Sequence, residues 1–232
     1  MAVTFLNLQD RAKVYILDLP TDVVSELPTL INDAIRDIQE AHNFRIMEAE
    51  TQFVTTEGSH TLGQITDMKE ARDVPWLQHG NGGNSEIDWA QTKSTIIRAF
   101  AINDASDKGL PVTIFEADAA GNFEVYPFPD GNSLWANGDY RVHLPYWKYL
   151  ADLVADNDSN WFTDNATLYV LYSAVSRAHA LNFDEERSDK WALRAAQQQG
   201  EAVKRDKRSR LTRKLTITPR SDVHASKYQT RM

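Results

Sequence analysis

The sequence predicts an α+β protein: helices near both ends form a bundle, a β-rich segment is inserted between them, and the chain finishes in an extended arm. Near both ends, apolar residues recur every three or four positions, which is typical of one helix face. In the middle they cluster with β-branched and aromatic residues. Near the end, Thr and Ile alternate with basic residues, and a proline disfavours a long helix. The predicted boundaries are 1–44 and 148–210 for the helical bundle, 45–147 for the β-rich insertion and 211–232 for the arm.

Two helices are predicted near the N-terminus. The first covers Thr4–Leu17, and Pro20 ends the segment that follows it. The second covers about Ser25–Asn43 and is the clearest amphipathic helix in the chain, because its charged residues avoid the apolar stripe. That stripe consists of Leu27, Leu30, Ile31, Ala34, Ile35, Ile38 and Ala41.

The middle of the chain predicts strands. They are expected at Glu50–Thr56, Ser94–Ile102, Pro111–Asp118, Asn122–Phe128 and Asp139–Tyr146. The last of these alternates, which predicts Tyr140, Val142 and Leu144 on the buried face. The glycine- and asparagine-rich run His79–Asn84 predicts a flexible loop.

Two further helices are predicted after Trp161. One starts at Thr163 or Asp164, ends near Leu181, and is apolar most of the way round. Such a helix is buried either in a core or between subunits. The last helix opens with the acidic run 184–186 and ends near Arg208 among basic residues, signs that suit the helix dipole. The candidate subunit-interface residues are Tyr169, Tyr172 and Trp191.

Charge is divided unevenly along the chain. The net charge is −8, but residues 190–232 hold 12 basic and 3 acidic residues, a net +9. Residues 1–189 hold 13 basic and 30 acidic residues, a net −17. We therefore expect residues 1–189, the body of the protein, to repel DNA, and residues 190–232 to bind an acidic partner. A protein contact is favoured, and gripping of DNA phosphates by the basic helix and arm is the alternative.

No motif in the sequence indicates catalysis or a bound cofactor. The chain has no cysteine and thus no thiolate chemistry, and its six histidines show no i, i+4 zinc spacing. The run 156–160 resembles the start of a calcium loop, but Trp161 and Thr167 stand where such a loop needs Gly and Glu. We interpret it as an Asx-rich turn that caps the next helix. The run 79–84 lacks the Lys–Ser/Thr of a phosphate-binding loop. We predict no enzyme, no metal site and no cofactor.

Nothing in the sequence predicts export or membrane insertion. The first 13 residues lack a charged segment followed by an apolar one. No apolar run approaches the roughly 18–20 residues that span a bilayer. We expect a soluble protein.

Two stretches resemble the head-to-tail adaptor proteins of tailed phages, also called connector or head-completion proteins. Leu27–Glu48 resembles the early amphipathic helix of that family and its exit, here His42–Asn43–Phe44 and then Met47–Glu48. The second stretch is Leu144–Ala174, which begins like the family's strand that ends in a Pro-Tyr-Trp turn, here 145–147. An Asn-Trp-Phe segment, here 160–162, and a low-polarity helix follow it, as in the family.

The resemblance implies a structural virion protein of the neck, located in the host cytoplasm during assembly. It implies a ring of copies, expected to be twelve, with the portal protein on one side and the tail or nozzle protein on the other. Genomic DNA would pass through without sequence-specific binding, and no membrane is involved. The candidate portal contacts are Lys204, Arg205, Lys207, Arg208, Arg210, Leu211, Arg213, Lys214, Leu215, Ile217 and Arg220. The alternatives are a nucleic-acid-binding module that uses the basic helix and arm and, more weakly, an enzyme with an unrecognised acidic site.

Overall fold

The computed structural model describes residues 2–80, 82–90, 108–118, 121–132 and 139–211, with side chains up to Arg208. Its mixture of helices and sheets confirms the α+β class. The helices are α1 (Phe5–Tyr15), α2 (Thr21–Ser25), α3 (Leu27–Ala41), α4 (Trp161–Asn165), α5 (Thr167–Leu181) and α6 (Glu185–Leu211). A 3₁₀ turn follows α3 at Arg45–Met47. No described helix is both long and apolar enough to span a bilayer.

The strands are short, and most pair antiparallel. They are β1 (Glu48–Val54), β2 (Thr61–Gln64), β3 (Met68–Ala71), β4 (Trp76–Gln78), β5 (Asn84–Glu86), β6 (Asp88–Trp89), β7 (Lys108–Gly109), β8 (Thr113–Glu116), β9 (Asn122–Tyr126), β10 (Phe128–Pro129) and β11 (Arg141–Lys148). One sheet has the order β1-β11-β4-β5, with β3 also paired to β11. A second has the order β2-β9-β8-β6, and β10 pairs with β7.

Helix α5 lies at the centre of the helical core. It packs against α6, α3 and α1, and Val170, Ala174 and Val175 on it are fully buried. The low-polarity helix predicted from the sequence is thus buried within its own chain. Leu168 is an exception on this apolar helix, because 44% of it is exposed at the start of α5. The predicted stripe of α3 is buried from Leu27 to Ile38, whereas Ala41 at the end of the helix is exposed.

Strand β11 connects the two hydrophobic cores of the molecule. Val142, Leu144 and Tyr146 belong to the core between the strands, whereas Trp147 belongs to the helical core. The predicted burial of Tyr140, Val142 and Leu144 is confirmed. The turn that the resemblance implied at 145–147 is wrong, since these residues continue β11 and pair with β1. The strand continues because its last side chains are buried in one core or the other.

Several elements differ from the sequence predictions. The β4–β5 hairpin turns at the predicted loop, where the His79 amide donates to the Gly83 carbonyl at 2.8 Å, but Asn84 already begins β5. Pro127 divides the predicted strand 122–128 into β9 and β10. Helix α6 includes Leu211, which was assigned to the arm. The strand predicted at 94–102 and the arm after Leu211 lie outside the described residues. The predicted domain boundaries stay predictions.

Candidate docking surfaces

Helix α6 is 27 residues long and carries opposite charges at its two ends. Asp184 precedes it, and its side chain accepts a hydrogen bond from the Arg187 amide at 3.1 Å. Glu185 and Glu186 lie in the first turn, where negative charge is favourable. At the other end lie Lys204, Arg205, Lys207 and Arg208, which we call the basic end. These charges agree with the predicted polarity of the last helix.

A buried carboxylate fixes the basic end to the rest of the molecule. Asp206 is 2% exposed, and its Oδ1 accepts a hydrogen bond from the Arg45 amide at 2.9 Å. Its Oδ2 lies 3.4 Å from Nε2 of His42. A buried carboxylate is strongly unfavourable unless such partners satisfy it. The direction in which α6 leaves the body is therefore set by the exit from α3.

The candidate portal contacts lie partly within the described chain. Lys204 forms an ion pair with Glu201 at 2.8 Å, and this hydrogen bond lowers the pKa of the Glu201 carboxyl. Arg205 donates to the Asn165 carbonyl at 3.0 Å. Lys207 and Arg208 are exposed. The side chains of Arg210 and Leu211, and all of Arg213, Lys214, Leu215, Ile217 and Arg220, lie outside the described residues. Their contact with a portal stays a prediction.

The three candidate interface aromatics make contacts within the chain. Tyr169 is buried, and Tyr172 and Trp191 are half-buried. The Trp191 ring lies 5.3 Å from that of Tyr172 and 5.0 Å from that of Tyr15, and the Arg194 guanidinium lies 4.5 Å above it. This cluster joins α1, α5 and α6, and a role between subunits stays a prediction.

An exposed apolar surface lies at the acidic end of α6. We define the end patch as Val14, Leu17, Leu181 and Phe183, which are 63%, 81%, 50% and 93% exposed. Arg187 joins its two halves, because it bonds both Asp18, which follows Leu17, and Asp184, which follows Phe183. The hydrogen bond from Arg187 lowers the pKa of the Asp18 carboxyl.

Phe183 has an unfavourable backbone conformation. Its φ is +58°, and it is the one non-glycine residue with positive φ among those described. The turn between α5 and α6 needs this conformation, because the Phe183 amide donates to Ala180 and the Asp184 amide to His179, both at 3.0 Å. Glycine is the usual residue at such a position.

A small cavity lies at the opposite end of the α5–α6 pair. This α5–α6 cavity has a volume of about 80 Å³ and opens to solvent. It is lined by residues of the α4–α5 junction and of the distal half of α6, among them Leu168, Tyr169, Ala202 and Arg205.

The calcium-like run forms turns and a helix cap. One carboxylate oxygen of Asp158 accepts from the amides of Val154 and Ala155, which lowers its pKa. Asn160 caps α4 by accepting from the Phe162 and Thr163 amides at 2.9 and 3.1 Å. The Asx-turn interpretation is confirmed. In the described parts of the chain, no three His, Asp or Glu side chains are grouped as metal ligands would be.

Two residues that organise these surfaces are not predicted from the sequence. Asp206 is a single acid within the basic run 204–208, a signal that one buried position interrupts a solvated face. Phe183 is an apolar residue in the polar turn before Glu185, but sequence alone does not reveal its positive φ.

Comparison with known protein families gives one match over most of the chain. The family model described as "SU10 adaptor protein" matches residues 3–220. The match includes the helices, the strands, the basic end and the first part of the arm. No curated protein matches the chain.

Proposed function

The chain belongs to the SU10 adaptor protein family, and from this membership we propose how it joins the phage head to the tail. The members of this family are structural phage proteins and not enzymes. Copies assemble into a ring, twelve on a twelvefold portal. The basic end and the arm dock on the portal protein, and the opposite face receives the tail. The protein assembles in the host cytoplasm and remains in the virion neck.

The docking proposal rests on the charges of α6, which is acidic at its start and basic at its end, and on Asp206, which fixes that basic end to the body. Lys207 and Arg208 lie one and two residues beyond this anchor and are exposed. The arm starts directly after α6 and adds further cations and the apolar residues Leu215 and Ile217. A fixed helix end followed by a basic, partly apolar segment suits a partner that presents an acidic groove or sheet edge.

The acidic body supports a role around DNA that does not involve gripping it. Residues 1–189 carry a net −17. Like charge between this body and phosphates keeps nonspecific affinity low, so that DNA can move through a ring. We therefore propose that the protein forms part of the DNA channel.

Docking is tested by co-sedimentation of the protein with portal particles. We expect a chain that ends at Leu211 to keep its helical circular dichroism and to lose at least tenfold in portal affinity. The double variant Lys207→Glu/Arg208→Glu should also weaken docking. Its matched control is Arg11→Glu/Lys13→Glu, because these two cations are exposed on α1 and the change in net charge is the same.

The outcomes separate portal docking from the nucleic-acid alternative. Equal docking of the truncated and full-length chains would contradict the proposal. Equal losses of portal affinity in the two double variants would also contradict it, because the effect would then depend only on net charge. If the truncated chain docks normally but loses a steeply salt-dependent gel shift with duplex DNA, the basic segment is a DNA-binding module instead.

A further inference from the structure

We propose that the end patch of one copy docks on the α5–α6 cavity of the next copy, so that neighbouring subunits contact each other head to tail through Phe183. This inference rests on the proposed ring and names the surfaces that build it. It assigns the lateral contact to the two ends of the α5–α6 pair and leaves the portal contact to Lys207 and the residues beyond it.

Phe183 combines two features that are unfavourable in an isolated chain. A left-handed conformation is unfavourable for a non-glycine residue, because its Cβ crowds the following carbonyl oxygen. The ring is also 93% exposed, so the chain gains no burial from it. Glycine at this position would remove both penalties. The presence of an exposed aromatic residue in a strained turn is explained if a partner protein covers its ring.

The neighbours of Phe183 extend this feature into a surface. Val14 on α1, Leu17 in the turn after it and Leu181 on α5 are exposed at the same end of the molecule. Scattered exposed apolar residues are normal, but a group at one end of a bundle indicates a contact site. Arg187 holds the two halves together through Asp18 and Asp184, so the surface is formed before binding.

The charges around the end patch indicate that its binding partner is a second copy of this chain. Asp18 and residues 184–190 contain five carboxylates and two cations, so the end patch has an acidic rim. At the α5–α6 cavity, the cations Lys204 and Arg205 outnumber the one exposed acid, Glu201, which pairs with Lys204. The two ends of a single chain are thus complementary in sign, which favours pairing between copies over pairing of like ends.

Leu168 and Ala202 give the α5–α6 cavity an apolar part within a largely polar lining that includes Asn165, Gln198 and Glu201. Leu168 stands at its mouth with 44% of its surface exposed, and Arg205 lines it. Its volume of about 80 Å³ is about half the ~150 Å³ of an enclosed cavity that binds benzene. The edge of the Phe183 ring can enter, and the remainder would cover Leu168.

Contact between two different surfaces determines how copies assemble. A head-to-tail contact leaves one free end patch and one free cavity after each addition, so it produces closed rings or open chains and not a twofold dimer. This is the type of contact that a ring of many copies requires.

Disulfide trapping tests the contact directly, because the chain has no cysteine of its own. The double variant Phe183→Cys/Leu168→Cys is oxidised alone at high protein concentration and on portal particles. The two positions lie at opposite ends of α5, about 22 Å apart along its axis, so they cannot bond within one chain. We expect a ladder of dimers, trimers and higher species on non-reducing gels.

Two controls accompany this variant. Each single cysteine variant should give at most a dimer. The double variant Leu193→Cys/Leu168→Cys should form no species larger than a dimer. Leu193 is 68% exposed on α6 but lies outside the end patch. Absence of a ladder for the 183/168 pair in both settings would overturn the proposal.

A mixing experiment supplies the second test. Phe183→Gly removes the ring but keeps the cavity, and Leu168→Glu blocks the cavity but keeps the ring. Neither variant should self-associate in sedimentation velocity, whereas their mixture should form a dimer that does not extend. Phe183→Gly should also raise the midpoint of thermal unfolding, which excludes misfolding as the cause of lost assembly.

The outcomes distinguish this inference from the proposed function. A Phe183→Gly variant that assembles like the original chain, or a mixture that stays monomeric, would show that the lateral contact lies elsewhere. If that variant self-associates normally but loses only its binding to portal or tail, the end patch faces another protein and the inference is wrong. Docking of single Phe183→Gly subunits on the portal would leave the portal proposal intact.

Discussion

The helical region and the β region of this molecule are held together differently. The helices share one core of fully buried aliphatic and aromatic side chains, from Leu8 on α1 to Ala178 on α5. The β region consists of strands of two to eight residues, and buried phenols there bond to carboxylates. The Tyr140 hydroxyl donates to Asp130 at 2.7 Å and the Tyr146 hydroxyl to Asp67 at 3.1 Å. The helical core thus contains more buried apolar side chains than the smaller β core, in which buried phenols also bond to carboxylates.

The largest expected effect comes from removing one aromatic ring from each core. Phe44→Ala should lower the free energy of unfolding by about 3–5 kcal/mol, and Phe123→Ala should lie at the lower end of the same range. Phe44 is fully buried, and its ring centroid lies 4.6–5.3 Å from those of His42, Trp161 and Phe162. Among the described residues, the rings of Trp89 and Phe53 lie nearest to that of Phe123, with centroids 6.0 and 6.2 Å away. Urea denaturation followed by circular dichroism measures both, and a greater loss in Phe123→Ala would reverse the comparison.

The next effect tests whether a polar group also matters in the helical region. Asp206→Ala should lower the free energy of unfolding by about 1–3 kcal/mol, because the partly buried Arg45 amide loses its acceptor. Hydrogen exchange at that amide should become faster. Asp189→Ala, which removes an exposed carboxylate from the same helix, is the control. If both variants lose the same amount, the anchor contributes nothing specific.

A smaller effect concerns the start of the C-terminal helices. Asn160→Ala removes the cap of α4 and should lower the free energy of unfolding by about 1 kcal/mol. Asn160→Asp should retain most of the stability, because Asp accepts the same two amide hydrogen bonds. Thermal unfolding at neutral pH compares the two. Equal losses in both would mean that the amide group contributes something other than capping.

The smallest effect appears only at alkaline pH and concerns the β region. Burial, together with the charge of Asp67 and the hydrogen bond to it, raises the pKa of Tyr146 to about 12. A raised folded pKa stabilises the fold fully below about pH 10, the ordinary tyrosine pKa, and this contribution disappears as the pH rises through about 12. The original chain should therefore lose stability between these values relative to Tyr146→Phe.

Asp67→Asn is the matched variant for that titration. It keeps the Tyr146 phenol buried but removes the carboxylate charge, so the alkaline loss should become smaller without vanishing. Urea midpoints measured from pH 8 to 12 give the comparison. Identical pH profiles for the original chain and Tyr146→Phe would exclude Tyr146 as a source of alkaline sensitivity.

The helices could be predicted from sequence because each carries its own signal. The spacing of apolar residues predicts 25–43, and the structure has Leu27–Ala41. The strands at 61–64, 76–78 and 84–86 were missed, because segments of three or four residues contain too few alternations. Their pairing is decided by partners far along the chain, as where β4 joins β11.

The candidate surfaces were predictable where they depend on composition and not where they depend on tertiary contacts. Charge alone located the basic positions from Lys204 to Arg208. The burial of Asp206 depends on the amide of Arg45, which lies 161 positions away. The exposure of Leu168 depends on where α6 lies against α5, although the helix period places it with Leu171 and Val175. The backbone of Phe183 follows from the angle between two helices.

Strand β11 has a mechanical consequence for a protein located where load passes between assemblies. It pairs with β1 over seven positions, from Trp147 opposite Glu48 to Arg141 opposite Val54. A pull along the strand axis shears all of these pairs together, whereas a pull at one end separates them in turn. Force along β11 is thus resisted by the whole ladder, and β11 transmits traction between the two regions because its side chains belong to both cores.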